Sequence, residues 1–460
     1  MKEATDTLRK ELSHSTGATV EVLKSDKADI QQISYPDDNQ NAILDGHSIV
    51  VFVRNPETKQ VVQRLSVNFP QINLLPDDLK NDVNFCTKLA DVFNLDLVRC
   101  NCSEGDELWE ILSESRTARA ISRSVHQFSS RDVSQWLRLL ESSMSLTYEG
   151  SSVRYTVFFA TSLTDVMNRL GPENENLFVK FPNPLGIDDA LLHQKWIRKA
   201  VDSQRVALVA IGNPKECETS KPGGYVVGLL AFSGLPEESP KVPYAPHQSL
   251  VRFQGFLGSD GVAMTVSPAG DLWLFANESL FVKSQGTWFY LSFHHAHTFL
   301  TKQQIGESIV TQILRVAIDL SFERKGALLC ILDEDSEIGK MVSDHETETR
   351  ANGELRDSLK NLSIHEWSSR QLITAAASVD GATILSKTGK LLDVGCLVSQ
   401  PTTEKLKAVT GNTESKPFSG ARSRAAWNAS IFGIAVKISE DGPITIYHHG
   451  EQILCIGGKL

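Results

Sequence analysis

The chain has 460 residues, of which 41% are hydrophobic and 22% are charged, with a formal net charge of −10. This composition is ordinary for a soluble globular protein, and the length predicts about two to four domains. The negative charge argues against general nucleic-acid binding, which needs a basic surface. No run approaches the roughly 18 apolar residues of a membrane span, and the first residues lack the apolar core of a secretory signal. We therefore expect a cytoplasmic protein without a membrane partner.

The first block covers about residues 1–140 and combines helices with a strand. “SIVVFVRN” (48–55) predicts a buried strand, because its apolar run is short and uninterrupted. “LPDDLKNDVNFCTKLADVFN” predicts a helix with Pro76 and two aspartates at its start. “LWEILSES” and “VSQWLRLLESS” also have helical spacing of apolar residues. We expect a mixed α/β domain here, of unknown role.

The second block, about residues 141–300, is rich in predicted strands. Polar segments with proline and glycine separate the strand-like runs “VRYTVFFA”, “RVALVAIG”, “YVVGLLAFSG”, “LVRFQGFLG”, “GVAMTVS” and “DLWLFA”. “ALLHQKWIRKAV” predicts one helix between them. A strand-rich block of this kind fits a ligand-binding or regulatory domain. The sequence does not identify the ligand of such a domain.

The third block, about residues 301–460, begins with a helix and a strand. “ESIVTQILRVAIDLSFERKG” has apolar residues at Ile309, Ile313, Val316 and Leu320, which is helical spacing, and Gly326 is a plausible stop. “ALLCILDED” predicts a buried strand directly after that glycine. This order of elements is typical of a helix that packs on a sheet.

The rest of the third block predicts a helix and further strands. Ser363 and Glu366 have capping-box spacing at the start of “SIHEWSSRQLITAAASVD”, which predicts a helix that ends near Asp380. “GATILSKTGKLLDVGCLV” predicts strand, turn and strand, with Gly389 in the turn. “IFGIAVKIS” and “PITIYHHGEQIL” predict two closing strands. Mixed helices and strands in this order predict an α/β domain whose mixed sheet is flanked by helices.

A carboxylate and two very small residues form the motif Asp380, Gly381 and Ala382. A carboxylate at a helix-to-strand junction can bind Mg²⁺ or Mn²⁺ through oxygen, and it can orient or deprotonate a ribose hydroxyl. Glycine beside it lets a ligand approach the backbone closely. Asp-Gly is also a common turn pair, so a simple turn is the alternative reading.

Two arginines enclose a serine in “GARSRAAW”, just before a predicted helix. The planar guanidinium groups of Arg422 and Arg424 suit phosphate oxygens, and the amides of a helix N-terminus favour anions. The alternative is a pair of solvated surface charges. Taken together, the two motifs contain what phosphoryl transfer needs: an oxygen ligand for metal, cations for phosphate, and close backbone approach.

These motifs resemble those of the diadenylate cyclase (DAC) domain of bacteria and archaea. That family carries DGA after a helix and then RHR in the setting “GTRHRAA”. This chain has DGA at 380–382 and “GARSRAA” at 420–426. “AVKIS” and “ITIY” fall where the family has its closing strands. The resemblance covers about the last third of the chain.

The resemblance implies a nucleotidyltransferase that condenses two ATP molecules into the second messenger cyclic di-AMP, with Mg²⁺ or Mn²⁺ and release of pyrophosphate. Two domains of a homo-oligomer would meet face to face, each holding one ATP. Asp380 would engage the metal and the hydroxyl, and Arg422 and Arg424 would hold phosphates. The nucleotide site would be lined by Gly381, Ala382, Gly420 and Ser423. The two preceding blocks would then be regulatory, and the second block would be a sensor domain, since related cyclases often carry one ahead of the cyclase domain.

Two residues depart from the family pattern. Ser423 stands where the family has histidine, and Ala421 stands where it has threonine. Serine can hydrogen-bond a phosphate, but it carries no charge. Three readings therefore remain open: an active cyclase, a nucleotide sensor without catalysis on the same fold, and an interaction protein whose arginines are surface features.

The histidine pattern does not predict a metal site. A structural zinc site needs four ligands, and the sequence offers no partner cluster for “FHHAHTF”, so a linker or an interface is expected there. His448 and His449 follow a predicted strand and are expected in a turn. The seven cysteines are dispersed, which does not indicate a disulfide framework.

Overall fold

The computed structural model gives an α/β protein whose described residues fall in two compact units. The structure describes residues 2–23, 40–55, 57–69, 74, 76–100, 106–148, 151–202, 204–212, 223–236, 245–258, 261–276, 279–342, 356–418 and 420–458. One unit lies within 1–240 and 247–292, and the other within 241–246 and 293–458. No helix in these ranges has both the length and the apolar character needed to cross a membrane.

Both predicted amino-terminal blocks fall in the first unit. The boundary of this unit at 292/293 lies close to residue 301, the predicted start of the third block. Its helices are α1 (Lys2–Thr16), α2 (Lys80–Arg99), α3 (Glu107–Ser124), α4 (Ser130–Met144), α5 (Leu163–Leu170), α6 (Ile197–Ala200) and α7 (Gln248–Leu257). Its strands are β1 (Thr19–Leu23), β2 (Ala42–Asp45), β3 (Ser48–Arg54), β4 (Val61–Asn68), β5 (Thr147–Tyr148), β6 (Ser151–Ser152), β7 (Thr156–Ala160), β8 (Phe178–Gly186), β9 (Ala207–Ile211), β10 (Tyr225–Leu230), β11 (Val262–Val266), β12 (Leu272–Ala276), β13 (Ser279–Ser284) and β14 (Thr287–Tyr290).

Two large sheets organise the first unit. An antiparallel sheet has the order β1-β4-β3-β2, and an eight-stranded sheet has the order β14-β13-β12-β11-β7-β9-β10-β8. In the larger sheet β7 and β9 are parallel, and the other neighbours are antiparallel. β5 and β6 form a separate small hairpin. The strands of the larger sheet account for most of the strand-like runs of the second block.

Two predictions for the second block are wrong. “LVRFQGFLG” forms helix α7 rather than a strand, because its buried Leu250, Phe253 and Leu257 recur at helical spacing. “ALLHQKWIRKAV” is not one helix. It contains a single π-helical turn at Asp189–His193, a break at the extended residue Gln194, and the short helix α6.

A buried ionic cluster ties together the first three helices. Arg116 on α3 is fully buried, and its Nε donates to Asp96 Oδ2 on α2 at 2.8 Å. The same guanidinium also pairs with Glu11 on α1. Arg119 adds a second cation to Asp96, with Nη2 to Oδ2 at 2.7 Å, and the ring of Trp109 lies 4.6 Å from the Arg116 guanidinium carbon. Because a buried charge is costly unless it is paired, these helices are held in one arrangement.

The second unit is built on one mixed sheet. Its helices are α8 (Phe293–Lys302), α9 (Glu307–Phe322), α10 (Ile338–Met341), α11 (Trp367–Ala377), α12 (Thr403–Thr410) and α13 (Ala421–Ala429). Its strands are β15 (Ala327–Leu332), β16 (Ala382–Leu385), β17 (Leu391–Cys396), β18 (Gly433–Ile438), β19 (Ile444–His448) and β20 (Glu451–Ile456). The strand order is β17-β16-β15-β18-β19-β20, in which only the pair β15 and β16 is parallel among these described strands.

Helices pack on both faces of this sheet. On one face, Leu328 and Cys330 of β15 share a buried core with Ala426 and Trp427 of α13. Side chains alternate along a strand, so Leu329 of β15 faces the other side, where α9 and α11 contact the sheet. All six residues of β15 are buried, as expected for a central strand covered on both faces.

Two local predictions in the third block need correction. Ser363 does not cap α11, whose N-cap is Glu366, and no side chain makes the capping hydrogen bond. The Ser363 hydroxyl instead accepts from the backbone N–H of His365, which forms a local turn before the helix. “PITIYHHGEQIL” is a complete hairpin of β19 and β20 rather than one strand, because a tight turn interrupts it at His449 and Gly450.

We predict that Arg116→Met lowers the free energy of unfolding by about 3 kcal/mol, since the partly buried Glu11 loses its cation and the buried Asp96 keeps only Arg119. The matched control is Arg9→Met. Arg9 pairs with Asp6 where both side chains are more than 40% exposed, and such pairs contribute about 1 kcal/mol or less. Urea denaturation of both full-length variants measures the difference. Equal losses of stability would contradict a structural role for the buried cluster.

Candidate functional site

The strand register brings the predicted motifs to one end of the six-stranded sheet. Leu328 of β15 pairs with Ala382 of β16, and Ala327 pairs with Ile438 of β18. The residues just outside these pairs therefore lie at the same end: Gly326 before β15, Asp380 and Gly381 before β16, and Glu440 after β18. We call this end of the sheet the Asp380 edge.

Two glycines let the backbone close tightly behind Asp380. Gly381 has φ +104°, and a Cβ built on it would lie 2.5 Å from the backbone carbon of Gly395. Gly395 also has a positive φ, of +64°. Glycine adopts both conformations without strain, and at Gly381 only glycine fits, whereas a Cβ on Gly395 would lie at an ordinary contact distance of 3.7 Å from the Asp380 carbonyl oxygen. Position 381 of the DGA motif thus requires glycine for structural reasons, and Asp380 stands exposed just before the start of β16.

Helix α13 points its N-terminus at this edge. Gly420 is the N-cap and provides no side-chain hydrogen bond to the first turn. The first amide groups of a helix lack partners within the helix and carry partial positive charge, which makes them suitable for an anion. Arg422, Ser423 and Arg424 occupy the first turn of the helix itself, whereas the sequence analysis placed them just before the helix.

The Arg422 guanidinium lies between two carboxylates. Its Nη2 is 3.8 Å from Asp380 Oδ1, and its Nη1 donates to Glu440 Oε1 at 3.2 Å. A Cβ on Gly326 would come within 2.2 Å of the same Nη1, so Arg422 lies directly against the backbone there. A cation is disfavoured at a helix N-terminus, and the two carboxylates compensate for that cost.

A second cation approaches Ser423. Lys437 Nζ on β18 donates to Ser423 Oγ at 3.1 Å. An ammonium group is thus placed at the position where the DAC pattern has histidine. Arg424, by contrast, is exposed, and within the described ranges its side chain has no hydrogen bond or ion pair. The three residues of the motif therefore differ in surroundings: one ion-paired arginine, one serine beside a lysine, and one free arginine.

The predicted site residues differ strongly in exposure. The Asp380 side chain is fully exposed, and Arg422 is one-third exposed. Ala382 is 1% exposed and belongs to the core that packs against α13, so only its backbone can face a ligand. Glu440 and Lys437 were missed by sequence reasoning. Both stand in “VKISED”, where a charged strand end resembles an ordinary solvated turn.

The carboxylates at the Asp380 edge suit a hard divalent cation. Mg²⁺ is usually bound through one or two carboxylates together with substrate phosphates. Asp380 and Glu440 lie on either side of one guanidinium, and Glu440 is 70% exposed. The donor set therefore fits Mg²⁺ or Mn²⁺ when a nucleotide supplies the remaining oxygens.

The histidine-rich segments have different outcomes. “FHHAHTF” lies in helix α8, with His295 and His297 buried, so the expected linker is a packed helix. His449 lies in a turn with Gly450, as predicted, but His448, also expected in that turn, is the last residue of β19. Burial, helped by the neighbouring His449, lowers the pKa of His448 to about 4. Burial also works to raise the pKa of Asp333, but hydrogen bonds from Lys387 and His449 outweigh it and hold that pKa below its ordinary value.

Comparison with known proteins adds no identification. No protein-family model matches the chain, and no curated protein matches it either.

We predict that Gly381→Ala destabilises the protein more than Gly411→Ala. Both glycines have positive φ, which costs alanine about 1–2 kcal/mol, but Gly411 has no heavy atom within 4 Å of a built Cβ. At Gly381 the backbone of Gly395 must also move, which adds about 1–3 kcal/mol. Thermal and urea unfolding of the two variants measures the difference, and similar stabilities would argue against the close approach.

Proposed function

We propose that this chain is a sensor-linked diadenylate cyclase, which condenses two ATP molecules into cyclic di-AMP. One observation carries the proposal. Asp380 and Arg422, which are far apart in sequence, lie 3.8 Å apart at an exposed sheet edge, directly at the N-terminus of α13. This edge combines an exposed carboxylate, cations and unpaired helix amides, which suit a metal-bound polyphosphate.

Phosphate binding is assigned to the first turn of α13 and to Lys437. Arg424 is exposed and has no ion pair among the described residues. Its guanidinium can therefore bind a phosphate without first giving up another partner. Before Arg422 binds a phosphate oxygen, its guanidinium has to give up a carboxylate partner. A bidentate contact between arginine and phosphate can replace the lost ion pair. Lys437 supplies the positive charge that Ser423 lacks, which would allow the RSR sequence to serve in place of RHR.

The reaction consists of two equivalent phosphoryl transfers. In each, the ribose 3′ oxygen of one ATP forms a bond to the α-phosphorus of the other, and the bond from that phosphorus to the pyrophosphate oxygen breaks. The hydroxyl proton passes to the Asp380 carboxylate and then to solvent, and pyrophosphate leaves. Arg422, Arg424 and Lys437 stabilise the charge on the phosphate oxygens, so catalysis consists of positioning and charge stabilisation.

Asp380 and Glu440 would hold the Mg²⁺ or Mn²⁺ ion. When bound, the ion neutralises phosphate charge and makes the α-phosphorus more electrophilic. Asp380 is placed for this task by the Gly381–Gly395 approach, and Glu440 by the end of β18. In this proposal Glu440 takes a role that its sequence context did not indicate.

The exposure of the Asp380 edge fits a reaction between two copies. Asp380 is fully exposed and Glu440 is 70% exposed. The neighbouring apolar side chains of Val379 and Leu397 are 62% and 51% exposed. A site that binds one ATP and meets its counterpart face to face needs such an open edge with an apolar rim. The first unit would then act as a sensor, for an unidentified ligand, that changes how the cyclase units meet.

The second candidate is a nucleotide receptor without catalysis. It is favoured by the Arg422 ion pairs, because two carboxylates already satisfy that guanidinium, and by the absence of a histidine between the arginines. Both candidates bind ATP or cyclic di-AMP at the same edge. Turnover alone distinguishes them.

We predict that the purified full-length protein converts ATP to cyclic di-AMP with Mg²⁺ or Mn²⁺, as detected by mass spectrometry of separated nucleotides. Asp380→Asn and Arg422→Gln should each lower the rate at least about a hundredfold, as expected when a group that stabilises the transition state is removed. Asp357→Asn is the control, because Asp357 is an exposed carboxylate paired only with nearby Lys360 among the described residues.

Three outcomes separate the readings. Product that disappears in the Asp380 and Arg422 variants but persists in the control supports the cyclase. Saturable ATP binding without product under either metal supports the receptor. If neither binding nor product is found, the Asp380 edge is a surface feature and the proposal is wrong.

We predict that Lys437→Met weakens ATP use about ten- to a hundredfold in kcat/KM, since a hydrogen bond to a charged group is worth about 1.5–3 kcal/mol. Adding Ser423→His to this variant should recover part of the loss by returning a cation to the same place. Lys340→Met is the control, because its side chain is 71% exposed and only loosely paired with Glu337. An unchanged kcat/KM in Lys437→Met would remove Lys437 from the site.

A further inference from the structure

A second polar cluster lies at the opposite end of the six-stranded sheet. Leu332, the last residue of β15, pairs with Gly433, and Ile434 pairs with His448, the last residue of β19. Asp333 and His449 follow these strand ends. β18 runs from Gly433 to Ile438, which spans about 16 Å at the usual rise of a strand. This cluster is therefore separate from the Asp380 edge.

Three side chains of the cluster present metal-binding atoms to one another. A carboxylate oxygen of Asp333 and one ring nitrogen each of His448 and His449 all lie within 4.8 Å. His449 Nε2 is 3.0 Å from Asp333 Oδ2. Two ligands about 2.0–2.1 Å from a tetrahedral zinc ion are about 3.3 Å apart. This pair is thus already close to the spacing that a shared metal requires.

The turn after β19 places both imidazoles on the same side. Successive residues of a strand normally point to opposite faces. His449 has φ +48° and Gly450 has φ +79°, which are the signs of a type I′ hairpin turn. The His449 ring consequently stacks on that of His448, with centroids 3.8 Å apart and 24° between the planes. Asparagine is the residue usually preferred at this position, so the histidine is not explained by turn formation alone.

Neighbouring groups orient two of the three ligands. Lys387 Nζ is 2.9 Å from Asp333 Oδ1, which leaves Oδ2 for His449. The ring of Phe299 meets that of His448 edge to face, with centroids 5.7 Å apart. Carboxylates that bind metals are commonly hydrogen-bonded by an outer partner, as Asp333 is by Lys387, whereas Phe299 restricts the His448 ring by packing. Asp333 and His449 remain partly exposed, so an ion can enter from solvent.

We propose that Asp333, His448 and His449 form a binding site for a divalent transition metal of the zinc class. Two imidazole nitrogens and one carboxylate oxygen suit Zn²⁺, Co²⁺ or Ni²⁺, whereas Mg²⁺ prefers oxygen ligands alone. Three protein ligands leave one tetrahedral position for water or another small ligand. The proposal is independent of the proposed function, because it concerns the other end of the sheet.

The test is metal binding by the full-length protein after removal of metal. Zn²⁺ is titrated in competition with a chromophoric chelator, and Co²⁺ binding is followed by its visible absorption. His449→Asn removes one ligand but keeps a residue that favours the positive φ of the turn. His448→Gln removes the other imidazole while keeping a polar side chain. His193→Asn, at an exposed histidine of the first unit, is the matched control.

We expect one tight Zn²⁺ equivalent in the wild type, in His193→Asn and in Asp380→Asn, with no displacement by a large excess of Mg²⁺. His449→Asn and His448→Gln should each weaken binding at least about tenfold and remove the Co²⁺ absorption of a nitrogen-ligated site. Circular dichroism and unfolding curves establish that both variants are folded. The proposal is overturned if the wild type binds no stoichiometric Zn²⁺, or if His193→Asn weakens binding as much as the cluster variants do.

Discussion

The direction of the strands is the constraint on which the second unit depends. β15 and β16 are parallel neighbours, so the chain has to return to the starting end of the sheet before β16 begins. That return brings Asp380 beside Gly326. β18 is antiparallel to β15, so its end delivers Glu440 to the same place. Strand order therefore brings three groups together at this edge: Asp380, Glu440 and the N-terminus of α13. These groups are separated in sequence.

The second constraint is the balance of charge around Arg422 at the Asp380 edge. Arg422 stands at the helix end where a cation is least favourable, and it is held by Asp380 and Glu440. Such an arrangement is stable but exchangeable, because all three groups reach water and surface ion pairs contribute little free energy. In the proposed function, an anion that binds the helix amides would also pair with Arg422 and release both carboxylates. Those carboxylates would then bind the cation that accompanies the anion.

The sequence predicted much of the fold and part of the site. β15, β16 and the hairpin turn at Gly389 were predictable, because a buried strand and a turn glycine leave local signals. Helix α7 was mistaken for a strand, because a short apolar run is compatible with both structures. Lys437 was missed for another reason. Lys437 is of interest because it contacts Ser423 on a neighbouring element. A contact between residues that are distant in sequence leaves no local pattern.

Helix α13 connects the two ends of the sheet physically. Its first turn carries Arg422, and its C-cap Ser430 accepts a hydrogen bond from the His449 N–H at 2.7 Å. Trp427, 2% exposed, donates its indole N–H to the Gly450 carbonyl at 2.7 Å. A helix of this length spans about 13 Å, which is close to the span of β18. The same rigid element thus positions the arginine edge and the histidine turn, so packing around Trp427 sets the geometry of both.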